Sequence, residues 1–444
     1  MNLYHSDWIC DRLKDVSLIN AASLPADTVP DYEFDYLEIS NVNYHGIVDP
    51  EAIERLRYED APSRARRQVV KNCTMISSVR PNLQAVAFVD NGRKDFICST
   101  GFNVVLPVEK RLSPKFTYYT LISEGARQYF EATAKGVGYP AVDDKDFGSF
   151  PMPLPPLPEQ QRIAAYLDAS CAAIDAAVVA KRRQIETLDG VRKDIIQKAV
   201  TRGLEEHPEL KKTGNVWMNE VPVTWELVSL KRVSEMQGGL TLGKVYEGPL
   251  IERPYLRVAN VQDGHLNLQD VTTIEVPEEV AHRVELRPGD VLMTEGGDLD
   301  KLGRGTVWSG EIPDCLHQNH IFAIRCFTHK LLPAFLAYLT ASRYGRDYFE
   351  ATGKRTTNLA STNSTKVGLF PIPQPSISEQ YAICHFLDET LNHVTRIVNG
   401  IESQIATLNS YRKSLIHECV TGQRRITEAD VARTRRSEAE SVRR

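Results

Sequence analysis

Lys354-Arg355-Thr356-Thr357-Asn358 puts two cations, two hydroxyls and an amide just past the segment Tyr348-Phe349-Glu350-Ala351-Thr352, which reads as the end of a helix. Arg and Lys can contact phosphates or guanine edges, and Asn can pair with adenine, so these residue types suit the reading of a nucleic acid. Cations are also favoured beyond a helix C-terminus, so a solvated loop is the competing reading. The counterpart in the first half of the chain begins near Lys135-Gly136. Arg64, Arg66 and Arg67, with Lys71 and Arg80, form the densest basic stretch of that half; they suit phosphates or a solvated face. Lys301 and Arg304, in a Gly-rich loop, carry the same two readings.

Other chemistries find less support. Gly238-Gly239-Leu240-Thr241-Leu242-Gly243-Lys244-Val245 nearly matches a phosphate loop, but Val245 replaces the Ser/Thr whose hydroxyl holds magnesium, so it reads as a turn. His317, Gln318, Asn319 and His320 lack a carboxylate or cysteine set at ligand spacing, so no metal site is expected. No nucleophile elbow, methyltransferase motif or complete phosphate loop occurs, and the chain is expected not to be catalytic. Its eight cysteines are scattered without a C-x-x-C pair, which fits a reducing cytosol and a cytoplasmic protein. The polar start lacks the apolar core of a signal peptide, and with no uninterrupted run of ~18 apolar residues a membrane span is excluded. A net charge of −5 speaks only mildly against nucleic acid, because binding needs a local positive surface rather than a basic total.

The elements that must position these residues come in two copies. Phe150-Pro151-Met152-Pro153-Leu154-Pro155 returns 220 residues later as Phe370-Pro371-Ile372-Pro373-Gln374-Pro375, and at the same offset Glu159-Gln160 and Leu167-Asp168 match Glu379-Gln380 and Leu387-Asp388. Tyr129–Thr133 matches Tyr348–Thr352, and Asn41-Val42 matches Asn260-Val261, both at 219. Matches in constant order at nearly constant offset mean one unit used twice. Within each copy, short β-rich runs (84–89, 321–325) and one short helix (115–132, 334–351) predict an α+β fold. A proline run follows, expected as a rigid lead-in that cannot continue a sheet, and then a long helix. The expected boundaries are a domain over 1–157, a helix over 158–205, a second domain over 206–377 and a second helix over 378–425. The Arg- and Glu-rich tail, 426–444, is expected to be disordered or loosely helical.

Both helices carry a 3.5-residue apolar repeat, the mark of a coiled coil. The seam of the first holds Leu167, Ile174, Val178, Ile185, Leu188 and Ile195. That of the second holds Leu387, Leu391, Val394, Val398, Ile401, Ile405, Leu408 and Leu415, and Arg192 and Arg412 interrupt the two seams at equivalent places. Connectivity predicts an antiparallel pair with a pseudo-two-fold internal repeat: two tandem α/β domains joined by two long helices. Such a chain suits two unlike DNA half-sites, or a scaffold whose end domains bind proteins.

Pro153-Leu154-Pro155-Pro156-Leu157-Pro158-Glu159-Gln160 leading to Leu167-Asp168, and its copy over 371–388, resemble the helix entries of type I restriction-modification specificity subunits. Arg287-Pro288-Gly289-Asp290-Val291-Leu292-Met293-Thr294 and Gln318-Asn319-His320 resemble the target-recognition domains of that family. The first copy departs from this pattern, with Cys73-Thr74-Met75-Ile76 where the second has Gly289-Asp290-Val291-Leu292, which leaves the turn there open. The resemblance covers residues 1 to about 425. It implies double-stranded DNA as ligand, each domain reading half of a split asymmetric site, and paired helices that set the spacer. It also implies two modification subunits, which use S-adenosylmethionine to methylate adenine, and two restriction subunits, which use ATP and Mg. No cofactor is expected in this chain.

Overall fold

Gln160 and Gln380 show what the repeated motifs do. Gln160 accepts from the Ser113 amide (2.8 Å) and donates to the carbonyls of Arg111 and Pro155; Gln380 accepts from the Leu332 amide (2.9 Å) and donates to those of Lys330 and Pro375. Each buried amide ties the start of a long helix to a shorter helix and to the proline run, with its hydrogen bonds satisfied. Asp168 and Asp388 likewise accept from the hydroxyls of Tyr119 and Tyr338. The repeat is therefore written in residues that fasten helix to domain.

The computed structural model describes residues 4–5, 7–42, 53–80, 85–90, 95–297, 302–303, 305–355 and 360–441. The chain divides into two units, 1–182 with 402–444, and 183–401, so each long helix contributes to both. In the first unit an antiparallel sheet runs in the order Ser17–Ile19, Phe102–Pro107, Cys73–Ser77, Val86–Val89. A second, mixed sheet runs Glu54–Arg57, Glu33–Leu37, Phe96–Ser99, Ala65–Gln68. The second unit repeats the antiparallel order with Ser234–Gly238, Ile321–Cys326, Val291–Thr294 and Gly305–Val307, and the mixed one with Thr272–Val276, Ile251–Leu256 and Leu316–His317. Cys73–Ser77 and Val291–Thr294 are buried along their whole length, as expected of strands covered on both faces. The α+β expectation holds.

Several expectations need correction. The single short helix of each copy is two: Pro114–Leu121 then Glu124–Thr133, and Pro333–Ala341 then Arg343–Thr352. Ser123 and Ser342 break it, each capping the second helix by accepting from the Ala126 or Gly345 amide. The proline runs do join ladders: Pro151–Leu154 pairs with Ile9–Arg12, and Pro371–Gln374 with Glu226–Ser229. Both are two-stranded ladders, where every strand has an edge that needs no donor from proline. The turn left open in the first copy is present. Asn72, with φ of 65°, stands where Gly289 has φ of 94°, and the Asn72 and Gly289 amides make the same bond, to Val89 and Trp308. Asn tolerates the left-handed region, so the turn survives without glycine.

The long helices span Leu157–Arg202 and Ile377–Thr421. In the first unit, Leu167, Cys171 and Ile174 near the start of one share a core with Leu415, Ile416, Cys419 and Val420 near the end of the other. In the second unit the roles exchange: Ile196, Ala199 and Val200 share a core with Ile383, Cys384, Leu387 and Leu391. Start meets end in both, so the pairing is antiparallel. Ile185, Leu188, Val398, Ile401, Ile405 and Leu408 are half-buried, as fits a two-helix seam with no third layer. Arg412 reaches Asp175 across the seam (3.3 Å), whereas Arg192 is exposed. Part of the first helix reaches a mean hydropathy of 1.6 over 18 residues, apolar enough to cross a membrane by composition. That corrects the expectation drawn from uninterrupted runs; here its apolar residues serve the seam and the core of the first unit.

Each helix ends on a tryptophan. Gly203 and Gly422, both with φ of 78°, lie against Trp225 and Trp8, leaving no room for a Cβ beside the ring without a shift. The tail does not stay free: Glu428–Ser441 is helical, and Ile426 and Val431 are buried in the core of the first unit. Two apolar residues in register sufficed to anchor it, a signal the Arg and Glu excess concealed.

Candidate nucleic-acid interface

Backbone pairing brings together loops far apart in sequence. In the second unit, Gly296–Gly297 pairs with Ala360–Ser361, which pairs in turn with Lys354–Arg355. Lys354 and Arg355 thus form one arm of a hairpin beside the strand that leads towards Lys301 and Arg304. Lys354 is exposed. Lys301, Arg304, Thr356 and Asn358 lie outside the described residues, as does the side chain of Arg355. In the first unit the same three segments meet: Val79 bridges Ala141, and Ala141 bridges Lys135. Two candidates, Arg80 and Lys135, therefore come to one place.

Their electrostatics differ. The Lys135 ammonium sits 2.6 Å from Asp143 and 2.9 Å from Asp146, which raise its pKa by hydrogen bonding, while Lys135 lowers that of Asp143. A cation already shared by two carboxylates is a poor phosphate ligand. Arg80 is exposed, has φ of 49°, and lays its guanidinium 4.5 Å from the ring centroid of Tyr139.

The remaining candidates do not gather there as a group. Arg66 stacks on Tyr58 (4.7 Å) and donates to its hydroxyl and to the Ser63 carbonyl. Arg67 donates to Asn103 (3.1 Å), and burial lowers its pKa. Arg64 pairs with Glu38, and its carbonyl accepts from Thr100, beside the Gly101 that binds Ser78, so it borders the Arg80 end. Lys71 is exposed but precedes Cys73–Ser77, whereas Arg80 follows that strand, so the two sit at opposite ends of it. The repeated Asn41 and Asn260 cap short 3-10 turns by accepting from the Glu38 and Arg257 amides. Sequence reading missed Tyr139; an aromatic residue in the Gly-rich turn 136–140 was the available signal.

Neighbouring polar groups are structural. His317 is buried against the Ile321 carbonyl, and His320 lies 2.7 Å from Glu295. Among the described residues no group of three or more His, Cys, Asp or Glu is placed to hold a metal ion. Gly239 fits the phosphate-loop near-match into the fold: a Cβ there would lie 2.2 Å from the His317 carbonyl oxygen.

Two α+β modules with equivalent loop ends, each packed on antiparallel long helices, make a duplicated chain. Comparison with known proteins agrees. The family described as type I restriction modification DNA specificity domain matches residues 6–187. The specificity subunit of type I restriction enzyme MjaVIII from Methanocaldococcus jannaschii is 25% identical over 343 residues, 76% of each chain. That of EcoKI from Escherichia coli K12 is 23% identical over 337 residues, 74% of this chain and 69% of the relative. Among solved structures, a chain from work on the complex assembly and conformational transition of the type I R-M system superposes with a TM-score of 0.74. The HsdS subunit from Thermoanaerobacter tengcongensis gives 0.55. Each is 22% identical, with 94% of this chain and 98% of the other covered. The chain is thus similar to type I specificity subunits over about three quarters of its length, and residues 6–187 match the DNA specificity domain.

Proposed function

We propose that the chain reads a bipartite, asymmetric DNA target, one half-site per unit, and carries that choice to partner enzymes. The observation behind this reading is the duplicated loop end: the backbone pairing is the same in both units, but the side chains differ, with Arg80 in the first where Gly297 stands in the second, and Arg355 in the second where Gly136 stands in the first. Equal scaffolds with unlike contact residues suit unlike half-sites. The paired helices set the spacer and bind two modification subunits, which supply S-adenosylmethionine and methylate adenine; two restriction subunits supply ATP and Mg and cut. The chain itself recognises and does not catalyse, and it works in the cytoplasm. The exposed Tyr381 and Phe386 on the second helix suit a partner surface. A scaffold that binds only proteins would have no use for two exposed cationic loop ends.

The test is duplex binding by the full chain assembled with its modification subunits, across a salt series. Lys354→Ala/Arg355→Ala is expected to weaken cognate binding by about tenfold or more and to flatten the log–log salt slope by roughly 1–2. Unchanged affinity and slope would remove this hairpin from the interface.

A further inference from the structure

The first unit's loop end is built around one guanidinium. The hairpin 135–141 is closed by paired bonds between Lys135 and Ala141 (2.8 and 2.9 Å), and its second arm is held by Val142 to Ser78 (2.9 Å) and Arg80 to Pro140 (2.7 Å). Gly136, with φ of 105°, makes the turn. Asp143 and Asp146 clamp Lys135, so the hairpin base is fixed and its own cation is neutralised. What remains outward is Tyr139, 74% exposed, with Arg80 stacked on it.

That arrangement is more than a phosphate contact requires. A point charge on a flexible stem suffices for a phosphate, whereas Arg80 sits in left-handed backbone, which disfavours a non-glycine residue, and is braced on an aromatic face that serves no core. The ring supports the guanidinium, and among the described residues no acceptor takes its side-chain N–H groups, which leaves a two-pronged donor suited to O6 and N7 of guanine in the major groove. The residue type also belongs to this unit alone. Val142 binds the Ser78 carbonyl as Thr362 binds that of Glu295, and Val79 pairs with Ala141 as Gly296 pairs with Ser361, so the position corresponding to Arg80 is Gly297. A group that differs between otherwise equivalent scaffolds is placed where specificity differs.

We propose that Arg80, supported by Tyr139, reads a guanine edge in the half-site of the first unit, and that Lys135 positions the hairpin rather than touching DNA. This rests on the DNA reading above. The test is selection from a randomised duplex pool by the full chain with its modification subunits, comparing wild type, Arg80→Lys, Arg80→Ala and Tyr139→Ala, with thermal melting of each.

Arg80→Lys keeps the charge, and so is expected to keep the salt slope. It should lose preference at one G·C pair of one half-site by about tenfold or more, leaving the other half unchanged as an internal control of folding. Tyr139→Ala should weaken the same position. The inference is overturned if Arg80→Lys keeps every preference. It is also overturned if Arg80→Ala weakens all sequences alike and lowers the slope by about 1, which is the behaviour of a phosphate contact, or if both half-sites degrade together. A wild-type assembly with no sequence preference would instead overturn the broader DNA reading.

Discussion

Asp290→Ala is expected to destabilise the second unit by about 3–5 kcal/mol, the usual cost of breaking a buried ion pair from one side. Asp290 is 1% exposed and accepts from Arg325 at both Nε (2.9 Å) and Nη2 (2.7 Å). It also accepts from the Arg287 amide (2.8 Å), which closes the turn that Gly289 permits. The pair joins the start of Val291–Thr294 to Ile321–Cys326, neighbours in the central sheet. Alanine would leave a guanidinium without its partner and a turn amide without its acceptor. Because whole domains are stable by only about 5–15 kcal/mol, this is a large share. Urea unfolding followed by tryptophan fluorescence checks it, since Trp217, Trp225 and Trp308 all lie in the second unit. A loss under about 1 kcal/mol would show that the pair is dispensable.

The second large effect is a loss of stability in mild acid through His317. Burial lowers its pKa from 6.5 to about 4. Its Nδ1 lies 3.0 Å from the Ile321 carbonyl, which can only accept, so Nδ1 carries the proton; the buried Nε2 has no partner among the described residues. Asp290 favours the charged form and Arg325 opposes it, and neither outweighs desolvation. The folded value lies below the unfolded one, so the unfolded chain binds the proton first. Stability from the neutral ring is therefore complete above about pH 6.5 and is lost as pH falls towards 4, by roughly 3 kcal/mol. Carboxylates with lowered pKa also lose stability in acid, so the measurement is a difference: unfolding free energy of wild type and His317→Gln at pH 7 and pH 4.5. The wild type should lose markedly more than the variant. Equal losses would show that the histidine is not held neutral.

What could be read in advance was whatever repeats or has a period. Phe150–Pro155 and its copy located the duplication, and the spacing of Leu167, Ile174, Leu387 and Val394 located the seams. These signals are local or self-similar, so a single chain displays them. What failed depended on contacts between distant residues. Ser123 and Ser342 cap helices inside stretches that read as continuous, and Ile426 and Val431 anchor the tail to a core assembled elsewhere. The prolines joined ladders because a two-stranded arrangement always offers an edge.

The candidate site was legible as composition and not as geometry. Arg66 and Arg67 are as basic as Arg80, but Tyr58 and Asn103 occupy them. Lys135 matched Lys354 by repeat position, but Asp143 and Asp146 take its charge where Asn363 and Lys366 stand in the other copy. Charge density along a chain cannot distinguish a free cation from a paired one when the partner arrives from another turn of backbone.

The most direct measurement is a genome-wide map of adenine methylation in a host carrying this chain and in the same host with the chain deleted. One motif with two specified halves separated by a fixed, unspecified gap should be present in the first map and absent from the second. Identical maps, or loss of a motif without such a gap, would contradict a duplicated reader of split sites.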